Sequence, residues 1–163
     1  MCIKRLMVGT VVAGMTAFIT GYVMFLVPPL DQFYAYAMSA GPATGVARES
    51  PLLWAVMLGA VSYGALVTLA IERRPGSTSA ATGARIGAII GFLLWFTADV
   101  MLFGISNVGN LTSTLIDPWL ELVPGAAAGA AVAVVFGRMR RTTLQTNREV
   151  HIEEAPKAAK TAA

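Results

Sequence analysis

The sequence predicts an all-α polytopic membrane protein: a bundle of four transmembrane helices with both termini in the cytoplasm. Three observations carry that expectation. Hydrophobic types make up 56% of the 163 residues and charged types only 13%, whereas a soluble domain is roughly a quarter charged. Four apolar stretches each approach the ~20 residues that cross ~30 Å of hydrocarbon. Lys and Arg gather in alternate connections between those stretches.

The first span is expected over about 6–27, where Pro28-Pro29 stops it. The second runs over 52–71 and ends at Glu72-Arg73-Arg74. The third covers about 84–105 and contains Asp99. The fourth covers about 119–137 and contains Glu121 and Pro124. Helix is the state that lets a lone segment satisfy its own backbone groups in lipid, and the short alternating segments of a barrel are absent. Together the spans make one domain over 1–137. The remainder, 138–163, is polar and then Ala/Lys-rich, with too little apolar surface to offset ordering entropy, so a disordered tail is expected beyond the first turn.

Orientation follows from the cations. Lys4 and Arg5 precede the first span, Arg73, Arg74 and Arg85 lie around the second connection, and Arg138, Arg140 and Arg141 follow the fourth. The other side holds only Arg48. A net charge of +3 is thus read as membrane orientation and not as nucleic-acid binding. The first apolar run is too long for the core of a secretory signal, although Ala35-Tyr36-Ala37 follows it. The connection from Pro28 to Pro51 opens with an aromatic segment, Phe33, Tyr34 and Tyr36, suited to the headgroup layer.

Catalytic chemistry finds little foothold. One cysteine, Cys2, allows no internal disulfide, and one histidine, His151, lies in the tail. A bis-histidine haem or a histidine-rich zinc site inside the bundle is excluded. Phosphate-loop, zinc-protease and nucleophile-elbow motifs are absent. The expectation is a protein that is not an enzyme and needs no cofactor or metal, with the lipid bilayer as its partner.

Small residues recur at spacing four. The first span has Ala13, Ala17 and Gly21, the second Ala55 and Gly59, the third Gly83, Gly87 and Gly91, and the fourth Gly125, Gly129 and Ala133. Lipid offers no hydrophobic drive for helices to associate, so close backbone approach must hold them together. These stripes serve either packing within the bundle or a seam to a second copy or a larger membrane complex. A weaker echo relates Gly14, Thr20, Val23 and Met24 to Gly91, Thr97, Val100 and Met101, 77 positions later, as a duplicated pair of spans would.

Asp99 is the sharpest candidate for chemistry. It lies roughly 9 Å inside the end of its span at 1.5 Å per residue, where a charge costs about 2.5–3.5 kcal/mol on insertion scales. It either joins two helices by hydrogen bonding or serves as a proton or cation site. Glu121 continues the Gly125/Gly129/Ala133 ladder outward by one turn, facing a neighbouring helix or resting at the interface. Tyr22 lies near the depth of Asp99. Asp31, Asp117 and the polar residues Asn107, Asn110, Thr112, Ser113 and Thr114 would form an acidic mouth without cations.

Four pieces of the chain form a loose signature: Asp31 to Tyr34 after the first span, Ala98-Asp99-Val100, Gly109-Asn110-Leu111-Thr112, and Asp117 heading the fourth span. On these pieces the chain, from Val11 through Arg138, resembles a group of small four-helix bacterial inner-membrane proteins with no assigned activity. The resemblance implies the fold and a bacterial cytoplasmic-membrane location. Two functions are open. One is a non-enzymatic component that self-associates or joins a larger membrane complex. The other is a small proton- or cation-coupled transporter or channel in which Asp99 is the coupling acid, with Glu121 and Tyr22 beside it.

Overall fold

The computed structural model describes residues 3–30, 32, 52–74, 79–105 and 109–161. Those residues are helical, with no strand among them. The helices are α1 (Ile3–Phe25), α2 (Leu53–Glu72), α3 (Ala80–Ile105), α4 (Leu111–Leu120) and α5 (Leu122–Thr161). Four stretches are long and apolar enough to cross a membrane: Ile3–Met24, Leu53–Glu72, Ala80–Ile105 and Leu111–Arg140, the last formed by α4 and α5 together. Large apolar side chains cover the outside, among them Met7, Trp54, Leu58, Ile89 and Met101. An exterior of that kind calls for an apolar medium.

Local chemistry sets the helix ends. Pro28 has no N–H to continue α1. Ser79 caps α3: its Oγ accepts the Thr82 N–H at 3.1 Å and its hydroxyl donates to Thr82 Oγ1 at 2.8 Å. The helix therefore starts before Gly83 and Arg85, not at Ala84 as the sequence suggests. Asn110 caps α4, its Oδ1 accepting the Ser113 N–H at 2.8 Å while its own N–H reaches Ser113 Oγ at 3.2 Å. Thr112, Ser113 and Thr114 are thus the first turn of a helix, where the sequence reading had a connecting loop. The expected disordered tail is likewise replaced by helix up to Thr161. Its Ala, Glu, Lys, Arg and Gln are strong helix formers, and they extend a helix already nucleated.

Two hairpins make the bundle: α1 with α2, and α3 with α5. α5 also lies against α1 and, less, against α2, whereas among the described residues no Cα of α1 lies within 8 Å of one of α3. Chain direction alternates, so Arg5, Arg73, Arg74, Arg85, Arg138 and Arg140 share one end, here the basic end. Asp99, Asp117 and Glu121 lie toward the other, the acidic end.

The basic half is closed by backbone contact. A methyl group on Gly87 would collide with the Gly125 carbonyl oxygen, and one on Gly83 with the Gly129 carbonyl oxygen. In the other hairpin a Cβ on Gly14 would come to 2.6 Å from the Ala60 carbonyl oxygen, and one on Gly64 would strike the Thr10 carbonyl oxygen. Ala13, Val67, Ile71, Ile86, Ala128, Val132 and Phe136 fill the core where the hairpins meet. Arg5 sits 3.7 Å from Glu72 and lies over the Phe136 ring, 4.4 Å from its centroid.

Gly83, Gly87, Gly91, Gly125, Gly129 and Ala133 are therefore packing residues inside one chain, and Ala13 is buried with them. Gly21 and Gly59 are not: nothing lies within 4 Å of a Cβ at either position. The expectation that they pack helices within the bundle is corrected, because the hairpins separate at that level. α2 uses the neighbouring stripe Ala60, Gly64 and Thr68 instead.

Candidate functional site

Where the hairpins part, they leave a cavity of about 560 Å³ in the acidic half. α1 contributes Ala17, Phe18, Gly21 and Tyr22 to its wall. α2 contributes Gly59 and Tyr63, α3 contributes Trp95, and the α4–α5 junction contributes Glu121 and Pro124. Most of the wall is apolar or aromatic, and Glu121 is its one acid among the described residues.

The sequence around Glu121 explains its position. Pro118 lies inside α4 and Pro124 falls in the first turn of α5, where a missing N–H leaves no intrahelical bond unmade. Glu121 holds φ −72° and ψ −8° between the two helices. Its N–H donates to the Asp117 carbonyl at 3.1 Å, and its own carbonyl accepts from Gly125 at 3.2 Å. The chain thus turns at Glu121 without leaving the span. Asp117 stands one helical turn earlier on the same face.

Asp99 reaches the same place from α3. Its side chain lies within hydrogen-bonding reach of Asp117, and both acids are near Glu121. Two carboxyl groups share such a bond only while one holds a proton. The other Asp99 oxygen, Oδ2, is buried with no hydrogen-bond partner. By sequence, α3 beyond Arg85, α4, and α5 before Arg138 contain no Lys or Arg. Among the described residues no group of His, Cys, Asp or Glu is placed to hold a metal ion.

Of the three residues singled out from sequence, Tyr22 and Glu121 share the cavity wall. Asp99 stands behind Glu121 with Asp117, outside the lining. Tyr22 stacks on Phe18 with ring centroids 6.4 Å apart and is 59% exposed. Asp31 and Asn107 lie outside the described residues. Trp119 meets Phe92 edge-on, with ring centroids 5.0 Å apart.

Tyr63 was not singled out as a site residue. Its hydroxyl crosses from α2 to the seam of the opposite hairpin, where a Cβ on either Gly91 or Gly125 would come within 3.0 Å of it. The oxygen is buried and has no hydrogen-bond partner. The available signal was a phenol in mid-span, since a buried Tyr O–H ordinarily finds a partner. The two glycines therefore do more than join α3 to α5. They also leave room for a polar group beside the cavity.

No protein-family model, curated protein or solved structure matches this chain.

Proposed function

We propose that the protein is a small, non-enzymatic cation carrier of a bacterial cytoplasmic membrane, with both termini in the cytoplasm and with cation movement coupled to protons. One observation carries this reading: Glu121 lines a cavity between four membrane-length helices, and among the described residues no basic side chain lines it. The orientation rests on the gathering of Arg and Lys at the basic end. Coupling needs no further machinery. One carboxylate holds a proton or a cation, so taking up one releases the other. Asp99 and Asp117 are carboxyl neighbours of Glu121.

Self-association or docking to a larger complex has weaker support. Its motive was the set of small-residue stripes, and those of α3 and α5 are filled from within the chain.

Liposomes containing the purified protein and an internal pH dye test the carrier reading. Addition of Na⁺, K⁺, tetramethylammonium or tetraphenylphosphonium should displace protons for at least one member of the panel. That response should disappear in Glu121→Gln and shrink in Asp99→Asn. Cation affinity should rise with pH, because the proton is the competitor; the groups facing Glu121 are Asp99, Asp117, Tyr63 and Tyr22. No response above empty liposomes, or one unchanged in Glu121→Gln, overturns the proposal.

A further inference from the structure

We infer that the cation is organic, a bulky lipophilic monocation that reaches the cavity sideways from the bilayer between α1 and α3. This rests on the carrier reading above and narrows what is carried. Three observations lead to it.

The first is the donor set. A hard divalent ion takes about six or more oxygen ligands. Among the described residues the wall's ionisable oxygen ligands are those of Glu121, Tyr22 and Tyr63, too few to replace a hydration shell. A delocalised or alkyl-shielded charge needs no such shell.

The second is the rest of the wall. Phe18, Tyr22, Tyr63 and Trp95 share the cavity wall with Glu121. Aromatic faces attract a cation through the ring quadrupole and at the same time cover an apolar body. The volume of about 560 Å³ falls among cavities of roughly 300–1,000 Å³ that enclose drug-sized ligands.

The third is the opening. Among the described residues no Cα of α1 lies within 8 Å of a Cα of α3. Phe18 and Tyr22 on one side and Leu94 and Trp95 on the other line the cavity and stay exposed, at 42%, 59%, 42% and 39%. The gap between them faces the medium that surrounds the helices. A solute already dissolved in the bilayer reaches Glu121 through it without crossing the packed basic half.

Equilibrium dialysis of the full-length protein in lipid nanodiscs, with empty nanodiscs as blank, tests this. The probes are tetraphenylphosphonium, its isosteric anion tetraphenylborate, and Na⁺. Tetraphenylphosphonium should bind saturably, and Glu121→Gln should weaken it about tenfold or more. Tyr22→Leu, an exposed change that leaves the packed half alone, should weaken it about three- to tenfold. Tetraphenylborate should remain at the blank level. Na⁺ binding that depends on Glu121, with tetraphenylphosphonium at the blank level, overturns the organic class and leaves the carrier reading standing. Equal uptake of the phosphonium and the borate, unchanged in both variants, overturns this inference. Absence of Glu121-dependent binding for every probe overturns both.

Discussion

The basic and acidic halves of the bundle are built from the same four spans and meet in opposite ways. In the basic half Gly83 and Gly87 bring the α3 backbone onto that of α5, and Gly14 and Gly64 do the same for α1 and α2. Phe136, Val67 and Ile71 then lock the two hairpins together. In the acidic half bulky Phe18, Tyr22 and Trp95 stand around an open space, and the chain bends at Glu121. Glycines occur in both halves, so glycine alone does not make a contact. A glycine joins two helices only where the opposing surface is backbone or another small residue. Where it faces an aromatic wall it leaves a void.

The largest effect that would test this contrast is expected at Gly87. A leucine there would have to displace the Gly125 carbonyl. Overpacking ordinarily costs about 1–3 kcal/mol and more where nothing can move, so Gly87→Leu should lose the cooperative thermal transition in mild detergent. A transition within a few degrees of the parent would show that the seam is not tight.

A smaller loss is expected for Arg5→Ala. It removes the cation from Glu72, whose side chain is 12% exposed, and the cover from the Phe136 ring. The combined cost should be about 1–3 kcal/mol, read as a lowered melting temperature. Arg5→Lys should recover only part of it, because ammonium lacks the flat face that stacks on a ring. Full recovery by lysine would reduce the contact to simple charge pairing.

The smallest effect is expected at Gly59, where added atoms meet nothing. Gly59→Ala should be neutral or stabilising by up to about 1 kcal/mol, through helix propensity alone. Destabilisation would place a hidden contact on that face and close the distinction between the halves.

Much of this was legible before any coordinates. Four runs of apolar residues fix four helices, since hydrocarbon leaves the backbone no other economical state. The ladder of Gly83, Gly87 and Gly91 against Gly125, Gly129 and Ala133 was readable because a four-residue repeat keeps one face of a helix, and it packs as that repeat implies. Gly21 and Gly59 obey the same local rule and were misassigned, because splaying belongs to the pair of hairpins and not to either helix. Tyr63 illustrates the same limit. Its polarity was visible, but its reach into the opposite hairpin depends on how far apart α2 and α3 stand. The Asp99–Asp117 approach needed α4 to be a helix capped by Asn110, which turns a supposed loop back along α3.

The emptiness around Gly21 and Gly59 has an evolutionary meaning. Mutations there can add side chains of many sizes without disturbing the seam that folds the protein. Each added side chain subtracts from the space on offer while Glu121 stays in place. Such a molecule can trade one guest for another by single steps, its architecture inherited unchanged while its selectivity drifts.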